Sequence, residues 1–154
     1  MMLTEENYKE SITALSTKDW KVLFDLIPEI EKTLEFGKMH IAEANADGTK
    51  QFPHWQEAPV VSKFRNAVYE IPIIINFDWS SWDEGAQMAS DKDFNFDNID
   101  IPTKCKLITA IIRNDRFCEG ALLSAFESGL ILRIVKSLLK SFSKILPIPI
   151  IRLS

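Results

Sequence analysis

The run Arg113-Asn114-Asp115-Arg116-Phe117-Cys118-Glu119-Gly120 lies between two strongly apolar segments and constrains the fold more than any other stretch. Two arginines and two acids within seven residues are too many charges for the middle of a core, because a buried charge must be paired or it is strongly destabilising. The flanking segments carry helical periodicity, so the run predicts a junction between two helices, with each arginine within reach of a carboxylate. At least one of Arg113 and Arg116 is expected to be substantially buried and bonded to an acid, in its own segment or in the acidic, tryptophan-containing segment Phe77–Gly85.

Elsewhere, apolar residues recur at three- and four-residue spacing, which predicts helices with one buried face. Trp20, Leu23, Phe24 and Ile27 mark one such helix, N-capped by Thr17 with Asp19 in its first turn and kinked or ended by Pro28. A short opening helix over 4–15 precedes it. Pro59 starts another, through Tyr69, with Val60, Phe64 and Val68 on one side and Pro72 as its stop. Ile73–Ile75 reads as a short buried strand, residues 81–90 as a short helix, and Asp91–Asp100 as loop. Ile101-Pro102 opens a helix striped by Leu107, Ile108, Ile111 and Ile112. Beyond the junction come helices over 118–128, with Gly129 as C-cap, and Leu130–Phe142. The turn signal Asn45-Ala46-Asp47-Gly48 predicts a β-hairpin near residues 36–56.

The expected fold is therefore mainly α: a single compact domain over 1–142, with about five or six helices and that small hairpin. Its core draws on Trp20, Phe24, Phe64, Val68, Leu107, Ile111, Leu123, Phe126, Ile134 and Leu138. Residues 143–154 form an apolar C-terminal tail in which Pro147 and Pro149 exclude a helix interior. It must pack as an extended strap or seek a partner.

A chain of 154 residues can bury a core without disulfides. Cys105 and Cys118 make neither a CxxC pair nor a zinc half-site, and read as buried free thiols of a reducing compartment. The polar, acidic start MMLTEENYKES is no signal peptide, and no apolar run reaches the roughly 20 residues of a membrane span. A cytoplasmic protein without a membrane partner is expected. A net charge of −4 argues against nucleic acid as a partner. The charge is uneven: Asp78–Asp100 holds seven acids and one base, whereas Leu130 to the end holds five bases and no acid. Such asymmetry marks either a docking surface, including head-to-tail self-association, or helix-dipole complementarity and chance.

No complete catalytic or cofactor motif is present. GxSxG, GxxxxGK[ST] and GxGxxG are all missing, and five glycines supply phosphate-cradling loops poorly. No catalytic residue, cofactor or metal is assigned. Asp91, Asp93, Asn95 and Asp97 follow the alternating start of an EF-hand loop, but Phe96 replaces its glycine and Pro102 its bidentate glutamate. His40 and His54, with Glu43 or Glu57, lack metal-fixing spacing such as HExxH. Two candidate ligand-binding clusters remain. One is Trp79, Trp82, Asp83 and Glu84, where tryptophans in a polar loop either plug the core rim or offer a stacking surface. The acids beside them would repel nucleic-acid phosphates. The other is Arg113, Asp115, Arg116 and Glu119, which either bind an anion through guanidinium forks or pair with acids to fix how two helices meet.

The FDW-SSW-DEG run at Phe77–Gly85, the Arg-x-Asp-Arg-Phe-x-Glu-Gly run at Arg113–Gly120 and the following Phe126-Glu127-Ser128-Gly129 resemble an uncharacterised family of short bacterial and phage proteins, a domain of unknown function. The segments Trp20–Lys32, Gln51–Trp55 and Pro59–Phe64 are similar to it as well, so the resemblance covers most of residues 17–140. It implies a single compact helical domain and carries no activity. The chain after Phe142 has no counterpart in it. The leading expectation is a non-enzymatic binding or regulatory module acting through a protein partner or self-association. The alternatives are a binding protein for a small, planar, anionic, nucleotide-like molecule, with Trp79 or Trp82 stacked on its ring and Arg113 or Arg116 on its charge, and an enzyme using Asp83 or Glu84 as a carboxylate base.

Overall fold

The computed structural model describes residues 3–4, 6–40, 54–118 and 120–145. In chain order the elements are β1 (Leu3–Thr4), α1 (Tyr8–Thr13), α2 (Thr17–Phe24), α3 (Ile27–Lys32), β2 (Gly37–His40), β3 (His54–Glu57), α4 (Pro59–Glu70), β4 (Ile75–Asn76), α5 (Asp83–Ser90), α6 (Ile101–Asp115), α7 (Ala121–Glu127) and α8 (Leu130–Ile145), with short 3-10 turns at Trp79–Ser81 and Phe96–Asn98. The fold is mainly α, a single compact domain with one small antiparallel hairpin, as the periodicity predicts. Short helices of six residues at α1 and α3 help bring the described α-helices to eight. Pro28 acts by restarting the chain: it occupies the first turn of α3, where its missing N–H costs nothing.

The helix ends have local causes. Ser16 caps α2 by a reciprocal box with Asp19, one residue before the Thr17 cap that the sequence suggests. The Ser16 backbone is extended and Thr17 is already helical, so only the Ser16 hydroxyl faces the Asp19 N–H. Asp100 caps α6 by accepting from the Thr103 N–H at 2.9 Å. Gly129, in the left-handed region at φ 83°, follows α7 and lets the chain turn into α8. α8 runs to Ile145, three residues past the expected boundary at Phe142. The Pro147 and Pro149 tail, the hairpin turn at 45–48 and Glu119 lie outside the described residues.

α8 is the central helix and packs against α2, α3, α6 and α7. Its Leu130, Ile131, Ile134, Val135 and Leu138 are buried at helical spacing. α4 adds Val60, Phe64 and Val68, and α6 adds Leu107, Ile108 and Ile112. Of the ten expected core residues, Phe24 and Ile111 are only partly buried, at the margin of the cluster. Trp20 is fully buried against Phe24 and Phe142. Its indole N–H has no acceptor among the described residues, a cost of about 1–3 kcal/mol carried by the ring's burial.

Two pairings tie distant parts of the chain together. β1 lies parallel to β4, Leu3 opposite Ile75, which brings the start of the chain to the segment after α4. In the hairpin Gly37 is opposite Glu57, and the register sets His40 across from His54.

Part of the uneven charge is used inside the molecule. The loop before α6 docks on α8. Asp97 accepts from the Ser137 hydroxyl at 2.6 Å and from Lys140 at 3.1 Å. Arg133 donates to the carbonyls of Asp91 and Phe94 and covers the Phe96 ring, and Lys136 reaches Glu31 at 3.4 Å. Among the described residues no group of three or more potential ligands is placed to hold a metal, and no helix is long and apolar enough to cross a membrane.

Candidate functional site at the α6–α7 junction

The two segments marked in the sequence meet along α6. Lys106, Ala110, Arg113 and Phe117 follow one another at three- and four-residue steps on that helix and its end, and the 3-10 turn Trp79–Ser81 lies against α6. The meeting is aromatic. Trp79 packs on Phe117 with ring centroids 5.9 Å apart and a 31° tilt. Phe117 remains 80% exposed, and Trp79 is half-buried. Cys118 beside Phe117 is exposed, not buried as expected, because it lies beyond the end of α6; Cys105, within that helix, is buried.

Trp82 serves differently. Its ring meets the edge of Phe77 at 5.7 Å, and the Lys106 ammonium sits 4.7 Å from the centre of Phe77 and 4.9 Å from that of Trp82. Gly85 is buried directly beneath it: a Cβ there would fall 2.2 Å from the indole. The absence of a side chain at Gly85 is what lets Trp82 close the rim of the core. Asp83 and Glu84 start α5 and stand in solvent, where their charge favours the helix N-terminus.

The junction's ion pairing takes in an arginine from outside the segment, and the expectation of a buried, paired arginine is not met at Arg116. Arg116 is exposed and has no acid partner among the described residues; Arg113 is half-buried. The arginine that meets Asp115 is Arg65 of α4, at 3.6 Å, while its fork grips Glu57 of β3 at 2.6 and 3.0 Å. The other oxygen of Asp115 accepts the Leu122 N–H at 3.0 Å and satisfies one of the free donors that open α7. Asp115 is the C-terminal residue of α6, so its carboxylate reaches across the turn to both α4 and α7. Arg116, at the C-cap, is exposed. The hydrogen bonds from Arg65 hold the Glu57 carboxyl below its ordinary value.

No local pattern joins Arg65 to Glu57 and Asp115, eight and fifty residues away. One sequence signal exists: Arg65 is the only arginine in the stretch before Arg113, which otherwise uses lysine. A fork geometry that lysine lacks is a reason for such a choice.

A family described as "Family of unknown function (DUF6508)" matches residues 15–144. This chain belongs to that family. Neither the curated proteins nor the solved structures give a match. The DUF6508 match takes in Phe77–Gly85 and Arg113–Gly120 together, and so contains the whole of the aromatic corner at which they meet.

Proposed function

We propose that this chain is a non-enzymatic binding module, regulatory in effect, which engages a macromolecular partner through the corner formed by Phe117 and Trp79. The observation that carries this reading is Phe117, 80% exposed yet packed against a second large ring. Burying a phenylalanine removed from water is worth about 1.5–3 kcal/mol, and interface energy concentrates in aromatic and arginine anchors of this kind. Arg113 and Arg116 supply that second residue type beside the rings. The support beneath is firm, because Asp115 ties the end of α6 to α4 and α7. The setting is a cytoplasm, in which the exposed Cys118 stays a thiol.

A small planar anion is the second reading, favoured by the exposed face of Phe117 next to Arg116. Trp79 and Phe117 already touch, however, so a ligand ring stacks on one outer face and is not held between two. Trp82 is covered by Phe77, Lys106 and the Gly85 backbone. The carboxylate-base reading draws no support from Asp83 or Glu84, whose side chains are exposed.

The test is affinity capture from a native extract of a host cell, with the full chain and its Phe117→Ser variant as baits. Both variants should melt at the same temperature, and the proteins held by the parent should be lost from the variant. Identical captured sets from the two baits would overturn the reading.

A further inference from the structure

Resting on that reading of the corner, we propose that one macromolecule it receives is a second copy of this chain, related by a two-fold axis passing beside Phe117. A two-fold interface joins one patch to itself, so the patch must carry an apolar centre and both members of every polar pair. The corner has this composition. Phe117 and Trp79 make the centre. Arg116 caps the end of α6, next to Phe117 in the chain, and Asp83 and Glu84 stand in the first turn of α5, four and five residues beyond Trp79. All three charges are exposed and have no ion-pair partner among the described residues. A two-fold rotation about the rings carries Arg116 of each copy toward Asp83 and Glu84 of the other, giving two equivalent sets of ion pairs around four aromatic rings.

The other arrangement open to an unevenly charged chain is head-to-tail stacking of its acidic segment on a neighbour's basic helix. Three of the basic helix's charges are already engaged: Lys140 pairs with Asp97, Lys136 with Glu31, and Arg133 binds the carbonyls of Asp91 and Phe94. Self-association through the corner needs none of them. A patch of a few side chains is smaller than a standard interface, so the dimer is weak, dissociating in the micromolar range. Its ion pairs lie at the rim, where salt screens them.

Sedimentation equilibrium of the full chain, over low to high micromolar loading, tests this. A monomer–dimer equilibrium is expected that weakens as salt is raised and at least about tenfold in Phe117→Ser. Charge exchange then reads the symmetry. Arg116→Glu alone and the double variant Asp83→Arg, Glu84→Arg alone should each be monomeric, by like-charge repulsion across the axis. An equimolar mixture of the two should form a dimer again, because both flanks regain opposite charges. A chain that stays monomeric at every loading, a dimer indifferent to Phe117→Ser, or a mixture that fails to associate each overturns the proposal. Monomeric protein whose Phe117→Ser bait still loses captured partners would sink the dimer and leave the interaction surface standing. Loss of both would remove the corner from function altogether.

Discussion

At the scale of single residues, Arg65 of α4 helps hold the junction together and Arg116 does not. Arg65 places a planar fork between two carboxylates, and its side chain is only about a third exposed. Arg65→Ala removes two charge-assisted hydrogen bonds and leaves Glu57 and Asp115 facing each other's neighbourhood without a cation. A loss of about 1–3 kcal/mol is expected from urea denaturation. Arg116→Ala, at an exposed position, should stay within about 0.5 kcal/mol of the parent. A larger loss at Arg116 than at Arg65 would reverse this assignment. The sequence shows that the junction needs carboxylate–guanidinium pairing, and Asp115 does make such a pair. It hides the partner, because helix α4 is brought there only by folding. Likewise, Arg133 uses its fork on two carbonyls and its face on Phe96, a role that no spacing in the sequence announces.

At the scale of elements, the segment from Phe77 to Gly85 is a designed fit of a large ring to a missing side chain. Asp83–Ser90 can approach α6 only because Gly85 leaves space for Trp82. Adding one methyl group forces the indole or the helix to move, and overpacking of this kind costs about 1–3 kcal/mol. Gly85→Ala should therefore lower the melting temperature even though alanine is the better helix former. In the background Trp82→Ala the same change should be neutral or stabilising, since the obstructing ring is gone and the helical preference of alanine remains. Additive losses in this double-mutant cycle would show that Trp82 and Gly85 do not compete for the same space. The helix starts and stops at this scale were largely legible, because capping and proline effects are local. The Ser16 cap shows the limit of that legibility. Which of two adjacent hydroxyl residues caps the helix depends on backbone dihedrals, and these are set where α2 meets the rest of the chain.

At the scale of the whole molecule, two carboxylates bind distant elements and make stability depend on acid. Glu57 is held below its ordinary 4.5, chiefly by hydrogen bonds from Arg65. Asp97 is held below its ordinary 3.8, chiefly by the Ser137 hydroxyl and then by Lys140. A carboxyl whose value falls on folding contributes stability that is complete above its unfolded value and is lost as pH falls through its folded value. Thermal stability should accordingly be level above about pH 5 and decline below 4.5, the ordinary value of Glu57. Glu57→Gln combined with Asp97→Asn should flatten that decline. A decline of unchanged steepness in the double variant would place the acid sensitivity on other groups. Cys105 has no part in this range, because full burial pushes its thiol up and leaves it inert.

What the sequence determined by itself is the mainly helical class, the positions of the amphipathic helices, the hairpin, and the break in the chain at Arg113–Gly120. These follow from periodicity and from backbone chemistry that acts over a few residues. It also marked Phe77–Gly85 and Arg113–Gly120 as unusual. That they meet through Trp79 and Phe117, that Trp82 turns instead to Lys106 and Gly85, and that Asp115 belongs to Arg65 were decided by tertiary structure alone. The same is true of the acidic loop and basic helix, which the sequence leaves as two unlike ends and the fold closes on each other. The physical reason is common to all of them: each contact joins residues far apart in the chain, and its partner is fixed only when the apolar stripes of α4, α6 and α8 find a single packed arrangement.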